Sequence, residues 1–370
     1  MASVKDKVAE WLGLAGVKVN GSRPWDIKVH DERFYGRVIS GGSLAFGESY
    51  MDSWWDAERL DQCVARILSA RLEKRAKRRD LIGIWVKSRV LNLQRRTRAF
   101  EVGERHYDLG NELYGAILDK SLTYTCGYWK SAKTLDEAQE AKLELVCRKL
   151  ELKKGMRVLD IGSGWGSFAK YAAEKYKVKI VGVTVSKEQV EFSKRLCKNL
   201  PVEIRLQDYR DIKGEFDRVV SLGMFEHVGY KNYREYMEIV SRCLKEKGLF
   251  LLHTIGGNVS VKSCDPWMDK YIFPNAMLPS VRQIAAAAEG LFVMEDWHSF
   301  GADYDKTLMA WWRNFERNWE FLKKKYDERF YRMWRYYLLT CAASFRVRKN
   351  QLWQIVFSKG GVPGGYVSLR

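Results

Sequence analysis

No run of about 18 apolar residues occurs in the 370-residue chain, which excludes a membrane-spanning helix. The N-terminus carries charges at Lys5, Asp6, Lys7 and Glu10 and leads into no long apolar core, so a secretory signal is not expected. Cysteine pairing signals are missing as well. The seven cysteines (63, 126, 147, 197, 243, 264 and 341) are odd in number and scattered, with no Cys-x-x-Cys and no Cys/His cluster at zinc spacing. Reduced thiols in a cytoplasmic protein without a metal site are therefore expected. There is no internal repeat and no low-complexity tract. A composition of 46% hydrophobic and 30% charged residues excludes a disordered chain. Acidic residues are too few to balance basic ones, and the net charge is +18. Such a chain is drawn to something anionic: nucleic acid, a membrane surface or acidic substrates. Charge alone does not choose among them.

The length suits about two domains. Residues 1–90 read as a small N-terminal α/β module. Its expected parts are a helix over 4–13, strands over 26–29 and 34–39, and a turn over 41–55 that leads into an aromatic-rich helix. Residues 71–98 hold eleven Lys/Arg against Glu73 and Asp80. That stretch fits a solvated helix face or linker, and equally a surface that docks on anionic lipid or nucleic acid. With 91–104 as the linker, 105–370 forms the larger domain. There a helix is expected over 136–150. Strands at 156–161, 178–185, 202–206, 217–223 and 248–255 then alternate with helices at 166–176, 186–198 and 231–244. This alternation predicts a parallel, doubly wound α/β sheet. Eleven Trp, Phe and Tyr crowd residues 311–337, and a last strand is expected over 352–358.

The first chemical signal is VLDIGSGWGSF (158–168). A hydrophobic strand runs through Asp160 into Gly162-Ser163-Gly164-Trp165-Gly166, and a helix follows. Glycines let the backbone turn tightly and approach a ligand closely. A dinucleotide site would have G-x-G-x-x-G and an acid after the next strand. Here the spacing is G-x-G-x-G, and the next strand passes through Thr184 with no acid. This pattern is similar to the first motif of Rossmann-like S-adenosylmethionine methyltransferases. Gln189 is then a neutral partner for the ribose hydroxyls. After the third strand, Asp208 is placed for the adenine amino group and Tyr209 for the edge of the ring.

The second signal is MFEHVG (224–229), where Glu226 and His227 close a buried strand. The fifth strand, FLLHTIGG (250–257), carries His253 and Ile255. Ligands of open α/β sheets bind beyond the carboxyl ends of the strands. The resemblance to S-adenosylmethionine methyltransferases implies a strand order in which the first, fourth and fifth strands are neighbours, so that the glycine loop, Glu226 and His253 share one rim. A carboxylate, an imidazole and many aromatics suit chemistry that forms a cation in an apolar pocket and then removes a proton.

Longer stretches carry a family resemblance: GESYMDSWW (47–55), ERHYDLGNELY (104–114), YTCGYW (124–129), GMRVLDIGSGWG (155–166), GMFEHVG (223–229), LLHTIGG (251–257), DPWMDKYIFPN (265–275), MEDWHSFGADYDKTLMAW (294–311) and QLWQIVFS (351–358). The chain resembles the cyclopropane-fatty-acyl-phospholipid and mycolic acid cyclopropane synthases over nearly its whole length. The resemblance implies a Rossmann-like class I methyltransferase fold with a smaller N-terminal domain for lipid docking and dimerisation. It implies methylene transfer from S-adenosyl-L-methionine to a cis double bond of an unsaturated phospholipid acyl chain. The double bond attacks the sulfonium methyl, and the carbocation loses a proton and closes to a cyclopropane. Family members hold bicarbonate as the proton acceptor, and its holders match Cys126, Glu226, His253, Ile255 and Tyr304. Cofactor contacts carry over to Tyr124, Thr125, Asp160, Gly162, Ser163, Gly164, Trp165, Gly166, Thr184, Gln189, Asp208 and Tyr209. Cys341 is shared with the family but lies in an apolar helix and reads as packing, since an alkene–sulfonium reaction needs no thiolate. A homodimer, bound peripherally to an anionic membrane surface from the cytoplasmic side, is implied.

Three other readings compete, one of them a module that senses S-adenosylmethionine without catalysis, against which the set Cys126, Glu226, His253 and Tyr304 argues. A lipid methyltransferase of the same kind would leave a methyl-branched or hydroxylated acyl chain. A nucleic-acid methyltransferase would suit the charge, but the chain has neither an Asn/Asp-Pro-Pro-Tyr motif nor a Pro-Cys pair, so no nucleic-acid partner is expected.

Overall fold

The structure, a computed structural model, describes residues 3–71 and 111–370. The linker expected over 91–104 and, apart from Arg71, the basic 71–98 stretch lie outside the described residues. Those described form two compact units, one of 3–71, 263–274 and 304–350, the other of 111–262, 275–303 and 351–370. These units cut the chain differently from a single boundary near residue 100, because segments from the last third join the N-terminal residues.

The first unit begins with α1 (Val4–Leu14), which Ser3 and Asp6 close as a reciprocal capping box. β1 (Lys28–Val29) pairs antiparallel with β2 (Trp55–Asp56), so the strand expected over 26–29 is only two residues long. Between them, α2 (Arg33–Met51) replaces the expected strand over 34–39. Phe34 and Tyr35 are both buried and Gly36 is exposed, which is not the alternation of a half-buried strand. Arg37 completes the helix by reaching Glu48 and Asp52. The expected turn at 41 survives as a kink at Gly42, with φ of +55°. α3 (Leu60–Ser69) ends this part.

In the second unit, α4 (Asn111–Ile117) and α5 (Leu135–Lys149) lead into the sheet. Its strands are β3 (Arg157–Ile161), β4 (Lys179–Thr184), β5 (Val202–Leu206), β6 (Phe216–Leu222), β7 (Leu244–Gly257), β8 (Val293–Ser299) and β9 (Asn350–Ser358). The order is β5-β4-β3-β6-β7-β9-β8. β3 to β7 pair in parallel and β8 pairs antiparallel with β9. Helices α6 (Ser167–Tyr176), α7 (Lys187–Leu196), α8 (Tyr233–Cys243) and α9 (Val281–Ala288) make the connections. Successive strand residues point to opposite faces. Leu159, Val219, Phe250 and Leu252 accordingly join one apolar cluster, and Val158, Val220, Leu249 and Leu251 the other. Burial on both faces is why these strands read as continuous apolar runs.

β7 and β9 are also locked by a glycine. A Cβ on Gly256 would lie 1.9 Å from the buried Trp353 ring. Gly256→Ala is therefore expected to cost about 1–3 kcal/mol as overpacking, read as a lowered urea midpoint with an unchanged slope. An unchanged midpoint would show that Trp353 can move aside.

The first unit is completed by α10 (Ala302–Arg317) and α11 (Glu328–Arg346). The aromatic-dense stretch supplies its core: Trp311 and Trp334 are fully buried, as are Trp55 and Trp267. Arg332 is buried too, but its guanidinium donates to the carbonyls of Tyr50 and Trp55 and to Asp56, so the charge is compensated. Among the described residues no helix is long and apolar enough to cross a membrane.

Candidate active site

The glycine turn follows directly from β3. Gly162 has φ of +84°, and its Cβ position is only 2.7 Å from Cβ of Met224. No residue with a side chain fits there without strain. The Gly162 and Ser163 amides both donate to the Val183 carbonyl at 2.9 and 3.0 Å, tying the turn to β4. Ser193 Oγ donates to the Gly164 carbonyl at 3.0 Å, while the Cβ position of Gly164, at φ of +53°, faces open space. Gly166 is the left-handed N-cap of α6. Trp165 packs on Tyr114 at 4.7 Å, and Tyr114 meets Tyr124 at 5.2 Å. An aromatic wall thus links the turn to the segment bearing Tyr124 and Thr125.

The ends of β4 and β5 hold the other expected cofactor residues. Thr184 Oγ1 donates to Gln189 Oε1 at 2.7 Å, and both side chains are buried. Asp208 caps the short turn Tyr209–Asp211 and holds the Arg210 guanidinium through both oxygens, at 3.2 and 3.0 Å. Arg210 also lies 4.5 Å over the Tyr209 ring, and Tyr209 packs on Tyr236. Asp208 therefore has a charged partner that spacing alone did not reveal.

At the centre, β6 and β7 run in parallel register with Leu222 opposite His253, and the Gly223 amide donates to the His253 carbonyl at 2.9 Å. This bond draws the short turn Phe225–His227 against the end of β7. Glu226 Oε1 then accepts the Ile255 amide at 2.7 Å. Glu226 Oε2 is buried with no hydrogen-bond partner. Burial pushes the Glu226 carboxyl up to about 7, opposed by the Ile255 amide. His253 Nδ1 lies 3.3 Å from Gln354 Nε2, and its own Nε2 is buried without a partner. Burial, together with the ammonium groups of Lys142 and Lys149, holds His253 well below the usual imidazole range, so the ring is neutral. His227 is half-buried, and desolvation alone pushes its imidazole down to about 4.

The structure adds a buried cation that the sequence did not single out. Lys142 on α5 is wholly buried and donates to Thr125 Oγ1 at 2.9 Å. One turn earlier, Gln139 Nε2 donates to the carbonyls of Thr123 and Thr125 at 3.3 and 2.7 Å. These two side chains fasten the 123–126 segment, and Thr125 packs on Gly223. Burial lowers Lys142 to about 8, while Asp119, Cys126 and Asp160 oppose that shift. Asp160 in turn is pushed up to about 7 by burial, with Lys142 opposing, and its Oδ2 is unpartnered. Cys126 is fully buried, and its thiol donates to the Gly127 carbonyl at 3.2 Å. A lysine and a glutamine three apart on a helix face whose other members are Val146 and Leu143 were the available signal.

Two expected residues belong to the first unit. Tyr304 is buried on α10 and packs on Phe345, with ring centres 4.6 Å apart and the planes tilted by 30°. Cys341 on α11 has its thiol pushed up by burial, with Cys264 and Asp265 adding to the shift. A thiol held protonated agrees with a packing role. None of the seven cysteines, all among the described residues, is in a disulfide.

The donor set fits S-adenosylmethionine. An open glycine turn sits beside unpartnered Asp160 Oδ2 and Ser163 Oγ, and an aromatic wall lies alongside. The comparisons point the same way. Residues 94–355 match the mycolic acid cyclopropane synthetase family. The chain is 54% identical over 353 residues to the cyclopropane-fatty-acyl-phospholipid synthase of Escherichia coli strain K12, covering 95% of this chain and 92% of that one. A probable fatty acid methyltransferase of Pseudomonas putida is 36% identical over 69% of this chain and 68% of its own length. Among solved structures, the cyclopropane synthase MmaA2 from Mycobacterium tuberculosis superposes with a TM-score of 0.67 at 29% identity, covering 70% of this chain and 98% of that one. The mycolic acid cyclopropane synthase CmaA1, complexed with SAH and CTAB, gives 0.66 at 32% identity over 70% of this chain and 98% of its own. With the sheet order, the glycine turn and these matches in agreement, the chain belongs to the mycolic acid cyclopropane synthetase family and has the Rossmann-like fold of S-adenosylmethionine-dependent methyltransferases.

Proposed function

We propose that this chain transfers a methylene group from S-adenosylmethionine to the cis double bond of an unsaturated phospholipid acyl chain, forming a cyclopropane, with bicarbonate as the proton acceptor. The observation that carries the reading is the pair of unpartnered buried atoms, Glu226 Oε2 and His253 Nε2, beside a Glu226 Oε1 already held by the Ile255 amide. A small oxyanion that bears one proton meets both needs: its O–H donates to the carboxylate and its other oxygens accept from the imidazole. When bound, S-adenosylmethionine supplies the one-carbon unit and bicarbonate the basic oxygen. The chain's own residues do the rest. Glu226 orients the base, His253 donates to it, and Lys142 offsets two neighbouring anions. Thr125 and Cys126 are held to the rim by Gln139 and Lys142. Tyr304 is proposed as a further holder of the base. Asp160, Ser163, Thr184, Gln189 and Asp208 hold the cofactor, with Tyr124, Trp165 and Tyr209 as its aromatic borders. A homodimer that docks on anionic membrane through its basic N-terminal part completes the proposal.

The test is incubation with S-adenosylmethionine and unsaturated phospholipid vesicles, anionic or neutral, at low and high salt, with and without bicarbonate. Acyl chains are expected to gain the mass of one CH2 and lose their vinyl protons. The gain should be greatest on anionic vesicles at low salt and should fall when bicarbonate is withdrawn. A methyl-branched or hydroxylated product would replace the cyclopropane reading. A rate indifferent to bicarbonate would remove it as the base.

A further inference from the structure

The reading above needs a hydrogen-bond donor at His253 Nε2, and a residue on another strand can make it one. Gln354 lies on β9, wholly buried. Its amide nitrogen is 3.3 Å from His253 Nδ1. A primary amide nitrogen can only donate, so Nδ1 accepts. A neutral imidazole that accepts at Nδ1 carries its proton on Nε2.

We propose that Gln354 is a positioning residue for the reaction: its amide holds His253 as the Nε2–H tautomer, so that the ring donates to the oxyanion at the rim instead of competing for its proton. Three observations converge on this. The Nε2 edge of the ring has no protein partner and shares the rim with the equally unpartnered Glu226 Oε2. The ring is also kept from becoming an imidazolium by burial and by the ammonium groups of Lys142 and Lys149 on α5, while the Phe300 ring lies 6.0 Å away as an apolar wall. A neutral ring has one proton to place, and Gln354 decides where. Finally, a buried glutamine between the apolar Trp353 and Ile355 costs desolvation, and its oxygen has no partner; among the described residues its side chain bonds to His253 alone. With the amide reversed, its oxygen would face Nδ1, the proton would move there, and a lone pair would confront the oxyanion.

The proposal rests on the bicarbonate reading only for what His253 donates to, because the tautomer itself can be measured without turnover. The full chain labelled with 15N-histidine, with the His253 signals assigned through His253→Gln, is expected to show a neutral ring protonated at Nε2 and bare at Nδ1 from about pH 6 to 8. Gln354→Met, nearly the same volume with no donor, is expected to lose that fixed pattern. It should lower kcat by about tenfold to a hundredfold, as a misplaced catalytic group does, with little change in KM for S-adenosylmethionine. In a His253→Gln background, Gln354→Met should cost nothing further, since the two act as one unit. A ring protonated at Nδ1, or a charged ring, in the unaltered protein overturns the proposal even if Gln354→Met does not fold. So does a Gln354→Met cost that persists undiminished without His253. An Nε2–H ring together with turnover indifferent to bicarbonate would leave Gln354 in its role and discard the base.

Discussion

Glu226→Gln is expected to lower turnover about 10²–10⁴-fold, the usual cost of losing a positioned acid–base group, while S-adenosylmethionine binds nearly as before. The reason lies in the two oxygens. One accepts the Ile255 amide at 2.7 Å and the other has no protein partner. A glutamine oxygen can replace the first, but the amide nitrogen then faces the O–H of the base, donor against donor. If the amide turns round, the nitrogen faces the Ile255 N–H instead. Either way one contact is lost, and so is a negative charge facing the carbocation. On the proposed reading the cofactor is held elsewhere, by the glycine turn, Gln189 and Asp208, so its affinity is a control on the same preparation. Turnover near that of the unaltered protein would take Glu226 out of the mechanism.

The same substitution is expected to stabilise the protein above neutral pH. Burial raises the folded-state Glu226 carboxyl to about 7, against about 4.3 in an unfolded chain. The folded state therefore favours the protonated acid. Its contribution is fully present below about pH 4 and is lost as the pH rises to about 7. Glutamine does not titrate. The stability difference between variant and parent should grow over that window and level off above it, at a size on the order of 1–3 kcal/mol. Denaturant melts at pH 5 and pH 8 measure it. An equal difference at the two pH values would mean that Glu226 is not the buried acid described here. A cation bound alongside would lower the carboxyl again, so the effect belongs to the cofactor-free protein.

The other large effect is expected at the glycine turn. Gly162→Val forces a β-branched residue to φ of +84° and drives its Cβ to within 2.7 Å of Met224. The left-handed conformation costs about 1–2 kcal/mol, and the overpacking about 1–3 kcal/mol more. Because Met224 immediately precedes the turn that carries Glu226, and the Gly162 amide is tied to β4, the strain is relieved by opening the site. At about 1.4 kcal/mol per factor of ten, S-adenosylmethionine affinity should fall by about 10²-fold. Calorimetric titration reads this directly. An unchanged affinity in a folded variant would mean that the cofactor does not use this turn.

Much of this protein was legible before any coordinates. The strand over 202–206 has its expected ends, and the others of the parallel run lie within a few residues of theirs, because a strand buried on both faces must be a continuous apolar run between turn signals. From the alternation of strands and helices came the parallel sheet, and from the family's strand order came the rim shared by the glycine turn, Glu226 and His253. The Glu226–Ile255 contact follows from that register. What the sequence could not carry was which polar side chains are inside. Lys142, Gln139 and Gln354 look in one dimension like solvated residues of an amphipathic helix and a strand. They are buried because Thr125, Asp160 and His253 arrive from other elements to meet them. Asp208 likewise read as an open acceptor until the turn brought Arg210 onto it. The helix over 33–51 was hidden by FYGRVI (34–39), whose aromatic and β-branched residues suit a strand equally well; the burial of Phe34 and Tyr35 side by side, and the reach of Arg37 to Glu48 and Asp52, decided it. Local spacing determined the elements and the strand ends where the chemistry lies, since periodicity is a property of neighbouring residues. The protonation states and partners of the groups at those ends were decided only by tertiary structure, since desolvation and pairing depend on atoms far away along the chain.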